Sequence, residues 1–242
     1  MDEEGGIRKF DDDVGSRDAY AYSGDSAPLS SRIAHARITE TVLAAADFRG
    51  RKVLDVGCGD GFYTLQLLRA GPGDVLGVDL AMTALARARE RANGKGPIRF
   101  VKASVYDLAP LGETFDIAVV RAVLHHLDRP AEAIAAIARV AREIVVVEPN
   151  GYNPGLKFNE RFCGYHREHG EKSYPPFRID RWCESAGGRI AGRWFIGLVP
   201  TFCPEWMART LKRIEPAVER IPVFRMIACA QYVSRVVMDR PG

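Results

Sequence analysis

The groups best placed for chemistry in this sequence stand at the ends of apolar runs. Val53-Leu54-Asp55-Val56 reads as a short buried strand carrying one carboxylate, and it passes into Gly57-Cys58-Gly59-Asp60-Gly61, with Phe62 to Leu68 in helical spacing behind it. Glycines at alternate positions let the main chain turn sharply and let a ligand lie against the backbone at the carboxyl end of a strand. The space so made suits a nucleotide. Asp79 ends a second run, Val75-Leu76-Gly77-Val78, at a distance from the turn shared with dinucleotide-binding proteins, which supports a bound ribose. His125 and His126 follow a third run, and an imidazole near neutral pKa suits removal of a proton from an acidic oxygen or carbon. Neighbours at a helix start point about 100° apart, so at most one of the two faces the reaction. His166 and His169 share a helix face, but no carboxylate triad or cysteine of recognisable spacing accompanies them, and no metal is expected. With Tyr165 and Tyr174 they are placed to line an acceptor pocket.

The nine residues Val53 to Gly61 resemble the first motif of the class I S-adenosylmethionine-dependent methyltransferases, of the small-molecule type 11/12 kind, whose form is hydrophobic-hydrophobic-Asp-hydrophobic-Gly-x-Gly-x-Gly. Phe62 stands where a dinucleotide fingerprint would have its third glycine. Phe115-Asp116 and the apolar run after it resemble the family's fourth strand. The resemblance implies S-adenosyl-L-methionine as cofactor and methyl transfer to a small-molecule acceptor, a metabolite of aromatic or lipid-like character, by in-line displacement. It implies cofactor contacts from Asp55, Gly57, Cys58, Gly59, Gly61, Phe62, Asp79, Leu80, Ser104, Val105 and Arg121, and from Tyr22 in the N-terminal segment. In the family the acid ending strand two accepts both ribose hydroxyls, because a carboxylate offers two acceptor oxygens to a vicinal diol. Ser104 stands where the family's adenine motif carries Asp, so the adenine contact passes to its hydroxyl, to backbone or to Asp107. His125 and His126 are the candidate bases. A nicotinamide-dependent oxidoreductase and a non-catalytic cofactor-binding partner protein remain as alternatives, the former disfavoured by Phe62 and Asp55.

The elements that must position these groups alternate. Strands are expected at about 52–57, 75–79, 98–101, 115–120 and 144–148, with helices between them, which argues for a parallel sheet covered on both faces. Segments 189–198 and 228–237 read as strands six and seven. The fold expected is α/β, Rossmann-like, a seven-stranded mostly parallel sheet with an antiparallel last strand. Residues 1–30 read as a flexible arm and 31–242 as one domain: a cofactor-binding half over 50–150, a cap over 151–175 and a lid insertion over 200–222. The insertion's helix places Trp206, Met207, Leu211, Ile214 and Val218 near one face. Such a helix serves as a lid, makes a peripheral membrane contact, or packs on its own domain; Pro216 within it and the low net charge favour packing.

Composition narrows the class further. A chain of 242 residues with a net charge of +3 holds one α/β domain with additions and carries no electrostatic footprint for nucleic acid. Arg121-Ala122-Val123 replaces the Pro-Pro-Tyr type of motif, which argues against DNA-base methylation. Five widely spaced cysteines without a C-x-x-C pair read as reduced thiols, with Cys58 turned into packing. The start Met1-Asp2-Glu3-Glu4 lacks signal-peptide character, and no apolar run spans a bilayer, so a cytoplasmic location is expected.

Overall fold

A computed structural model describes residues 27–162 and 172–239. Helix α1 (Leu29–Ala45) precedes strand β1 (Lys52–Val56), and the glycine turn leads into α2 (Phe62–Leu67). Then follow β2 (Asp74–Asp79), α3 (Met82–Ala92), β3 (Ile98–Lys102), β4 (Phe115–Arg121), α4 (Pro130–Val140) and β5 (Ala141–Pro149). Beyond β5 lie α5 (Pro154–Phe162), α6 (Pro176–Ser185), β6 (Gly188–Ile196), α7 (Glu205–Val218), α8 (Pro222–Ala228) and β7 (Gln231–Met238).

The strands form one sheet in the order β3-β2-β1-β4-β5-β7-β6. The first five are parallel; β7 runs antiparallel between β5 and β6, pairing Val147 with Val233 on one side and Trp194 with Val233 on the other. This is the expected fold. Because side chains alternate across a strand, each strand feeds two cores. Leu54, Leu76, Ala118, Val120, Ile144 and Val146 pack with Ile134 and Ile137 of α4 and Ile179 of α6 on one face. On the other, Val53, Val75, Ile117, Val119 and Val145 pack with Ile38 and Val42 of α1 and with Phe48. Full burial of each such aliphatic side chain contributes about 1.5–3 kcal/mol, so both helix layers are needed to hold the sheet. Chain order reverses direction between β1 and β4, which opens a crevice at their carboxyl ends, where ligands of open α/β sheets bind.

The last third departs in detail from the sequence reading. Strand β7 begins at Gln231, later than expected, because α8, not foreseen, occupies Pro222–Ala228, and β6 spans Gly188–Ile196 rather than 189–198. Helix α7 runs through Pro216 and ends two residues later at Val218, so the missing N–H falls in its last turn. Its apolar stripe is divided: Val218 is buried in the main core and Met207 and Leu211 are half-buried, while Trp206 is 71% exposed and Ile214 47%. Polar groups fasten it as well, beside the buried Ala208 and Val218. The buried Glu215 accepts from the Leu198 amide at 3.0 Å and pairs with Lys212 at 2.7 Å, while Glu219 pairs with Arg37 of α1. Among the described residues no helix is long and apolar enough to cross a membrane.

Candidate active site

The glycine turn is built by backbone that other residues resist. Gly57, Gly59 and Gly61 have φ of 68°, 53° and 74°, a region costly to residues with a Cβ. A Cβ on Gly57 would stand 2.5 Å from Val123 Cγ2, and one on Gly61 would stand 2.9 Å from the Cβ of Ala88, so the turn is also closely approached from two sides. Asp60 fastens it from below: its carboxylate accepts from the Phe62 amide at 3.1 Å and from Arg91 of α3 at 2.5 Å. Phe62 itself stands edge-on to Tyr63, with the Arg91 guanidinium 5.5 Å from its centroid. Cys58 is buried with Leu85, Ala88 and Phe100, and burial together with the nearby Asp55 and Asp79 pushes its thiol well above the ordinary range, which leaves it inert packing.

Asp79, half-buried at the end of β2, couples the second strand to the turn. One carboxylate oxygen accepts from the Gly59 amide and the other from the Ala81 amide, each at 2.9 Å, with Leu80 half-buried between. A carboxylate has about four acceptor sites, so two amide bonds do not by themselves saturate it. After β3, the Ser104 hydroxyl accepts from the Tyr106 amide at 3.3 Å and its carbonyl from the Asp107 amide at 3.1 Å, closing a tight turn that buries Val105 against the main core.

Asp55 and Arg121 fall on the α1 side of the sheet. Asp55 is buried, receives the Thr64 hydroxyl at 2.6 Å, and is pushed up to about 6 by burial, against the pull of Thr64 and Arg121. Arg121 donates to Thr39 Oγ1 at 3.0 Å, and burial pushes its guanidinium down to about 10. The ring of His35, on α1, lies 5.4 Å from that of Tyr63 and is lowered to about 4 by burial and the Arg121 charge.

The loop after β4 holds the two histidines. Ala122, alone among the described non-glycine residues, has a positive φ, 56°, a strain on the order of 1–2 kcal/mol. His125 and His126 then fall in one short 3₁₀ turn, with ring centroids 4.0 Å apart; His125 is half-buried and His126 exposed. Glu148, near the end of β5, turns into this loop. One of its oxygens accepts from the Val123 and Leu124 amides at 2.9 and 2.7 Å, and the other lies 2.7 Å from His125 Nδ1. Tyr174 stands close enough to feel it, its hydroxyl pushed up by burial and then by the Glu148 charge, with Arg178 opposing. Tyr106 and Tyr152 are also half-buried against the same core.

Sequence reasoning missed Glu148, although its signal was the one that drew attention to Asp55 and Asp79, a lone carboxylate in an apolar strand. It also missed Ala122, Asp60 and the cluster under α1, which no local pattern marks. Tyr22, Tyr165, His166 and His169 lie outside the described residues. Among the described residues no group of three or more His, Cys, Asp or Glu is placed to hold a metal ion.

Comparison with known proteins agrees with this geometry. A family model described as Methyltransferase domain matches residues 54–146. The ubiquinone biosynthesis O-methyltransferase of Methylococcus capsulatus is 30% identical over 172 residues, covering 66% of this chain and 72% of that protein. Its counterpart in Photobacterium profundum is 34% identical over 148 residues, covering 60% of this chain and 59% of that protein. Among solved structures, magnesium protoporphyrin IX methyltransferase of Synechocystis with bound SAH shares the fold, with a TM-score of 0.69 at 17% identity over 98% of this chain and 100% of that one. A crevice at the switch point, a glycine turn of positive φ facing it, and a relative matched over most of its length have one reading: the chain belongs to the class I S-adenosylmethionine-dependent methyltransferases, and S-adenosyl-L-methionine is its cofactor.

Proposed function

We propose that the protein methylates a hydroxyl oxygen of a small, ring-bearing acceptor, and that His125 takes the hydroxyl proton. The observation that carries this is the His125 imidazole, fixed by Glu148 at 2.7 Å in the loop that follows β4. The names of the relatives, O-methyltransferases of ubiquinone biosynthesis, support oxygen as the acceptor atom.

The turn at Gly57, Gly59 and Gly61, with Cys58 and Phe62 around it, lets the cofactor lie against backbone. Asp79, held in place by its two amide bonds, receives the ribose hydroxyls, with Leu80 beside it. Ser104 and Val105 border the adenine. Asp55 and Arg121 set the charge beneath the turn, Arg121 supplying the cation for the cofactor's carboxylate. When bound, S-adenosylmethionine supplies a methyl group on a sulfonium, open to in-line displacement by oxygen. The chain's own tasks are to align the acceptor, exclude water and hold the departing proton at His125 Nε2. His126, exposed beside it, borders the acceptor entrance.

The half-buried Tyr106, Tyr152 and Tyr174 support an aromatic acceptor. The exposed Phe202, Trp206, Ile221, Val223 and Phe224 on and around α7 and α8 support a lid that also meets a membrane surface, where a lipid-like acceptor is found. The test is SAH release with S-adenosylmethionine and a panel of catechols, hydroxybenzoates, amines and thiols, the product position read by NMR. Methylation confined to amines or thiols overturns the reading.

A further inference from the structure

We propose that Glu148 is the positioning residue that makes His125 a base. The inference rests on the reading of His125 as the group that takes the acceptor's proton.

Glu148 has 0% of its surface exposed, and a carboxylate that deep is tolerated only when donors surround it. Its donors come from three consecutive residues of one loop, and they are divided between its two oxygens. Oε1 takes the amides of Val123 and Leu124, which caps the 3₁₀ turn; Oε2 takes His125 Nδ1. Capping needs the first oxygen alone. The second bond acts on the ring. A neutral imidazole has one N–H, and a carboxylate 2.7 Å from Nδ1 requires that proton there, so Nε2 is left with the lone pair. One buried side chain therefore sets both where the ring stands and which nitrogen is basic.

The surrounding backbone is consistent with a loop held under constraint. Ala122, at φ 56°, donates its amide to Val147 O at 2.8 Å, and the next two amides go to Glu148. The strained residue is thus clamped to β5 on both sides of its turn. Among the described residues, Glu148 and His126 contact the ring, and Tyr174 lies beyond the carboxylate. His126 is exposed on the same turn, so the two adjacent imidazoles are not equivalent.

Glu148→Gln separates the two roles. The glutamine oxygen can still cap Val123 and Leu124, but the NH₂ that replaces the other oxygen donates to Nδ1. The proton must then move to Nε2, and the basic lone pair is lost from the reacting side.

The experiment is multiple-bond ¹H–¹⁵N NMR of the full chain with ¹⁵N-labelled histidine, with His125→Asn to assign the ring, followed by the rate–pH profile on the best hydroxyl acceptor. The expected result is an Nδ1–H tautomer in the wild type and an Nε2–H tautomer in Glu148→Gln. Alongside it, kcat falls about 10²–10⁴-fold with SAH affinity unchanged. The ascending limb of the profile moves to lower pH, because the imidazolium has lost its carboxylate. The double variant is no slower than His125→Asn alone. An Nε2–H tautomer in the wild type overturns the proposal, and that measurement does not depend on the variant folding. Full activity in Glu148→Gln beside a crippled His125→Asn overturns Glu148's role and leaves the function standing; full activity in His125→Asn overturns the function reading itself.

Discussion

The guanidinium of Arg121 lies 3.5 Å from the ring centroid of Tyr63, so the last residue of β4 is stacked on α2 while its NH groups reach Thr39 and the His35 carbonyl on α1. Three elements meet at one side chain. Because only a guanidinium offers both a flat face to the ring and a fork of donors, Arg121→Lys keeps the charge but loses the stack and the fork. A double-mutant cycle of Arg121→Lys with Tyr63→Leu is expected to give a coupling of about 1–2 kcal/mol in urea denaturation. Additive losses would remove the stack from the list of stabilising contacts.

The glycine turn can be tested against a matched control. Gly50 and Gly57 share a φ of 68°, but a Cβ on Gly50 meets nothing within 4 Å while one on Gly57 meets Val123 at 2.5 Å. Gly50→Ala should cost about 1 kcal/mol and Gly57→Ala about 2–4 kcal/mol. The excess should shrink when Val123→Ala is added, and thermal melts of the four proteins decide it.

Asp55 and His35 make opposite contributions to the pH dependence of stability. Between its ordinary 3.8 and about 6, Asp55 holds a proton in the folded chain that the unfolded chain has released, so its contribution falls as pH rises. His35 is the reverse: between about 4 and 6.5 the unfolded chain holds the extra proton, so stability rises with pH. Each amounts to about 3 kcal/mol over its window. Relative to wild type, Asp55→Asn should gain stability with rising pH from about 4 to 6, and His35→Gln should lose it. Denaturation midpoints that run parallel in all three proteins would show that neither group is perturbed.

Asp79 is the sharpest test of cofactor contact. Asp79→Ala removes the acceptor for the ribose and the brace on Gly59, and calorimetric titration with SAH should show affinity weakened by about 100-fold, the loss of two hydrogen bonds to a charged group. NAD and NADP, titrated in parallel, should not bind. SAH affinity equal to wild type would place the ribose elsewhere.

The proposed membrane contact has its own readout. Sedimentation with anionic phosphatidylglycerol vesicles should carry down the wild type and blue-shift tryptophan emission, and Trp206→Ser with Phe224→Ser should abolish both. Equal recovery of wild type and variant would remove the membrane from the proposed role of α7 and α8.

What the sequence determined by itself is local. A positive φ at Gly57, Gly59 and Gly61 is a property of each residue and its neighbours, so the turn was legible from the run that contains it. The parallel strands were legible for the same reason: β1, β2, β4 and β5 carry near-continuous apolar runs with helices between most of them, while the shorter β3 leads to β4 through a 3₁₀ turn alone. Asp79 could be named because its place is counted along the chain from the turn. Tertiary structure decided what depends on residues far apart in the chain. His125 and Glu148 are separated by 23 positions and meet only because β4 and β5 pair in register, Arg121 with Val147. Arg121 turns to Tyr63 and Thr39 because strand alternation puts it on the α1 face, which periodicity shows as a face but not as a partner. Trp206 and Ile214 of the α7 stripe stay exposed while Val218 is buried, a rotation fixed where Glu215 and Glu219 find donors on neighbouring elements. A helix's hydrophobic pattern says which residues share a side; which side is bound is settled by the contacts the whole fold makes available.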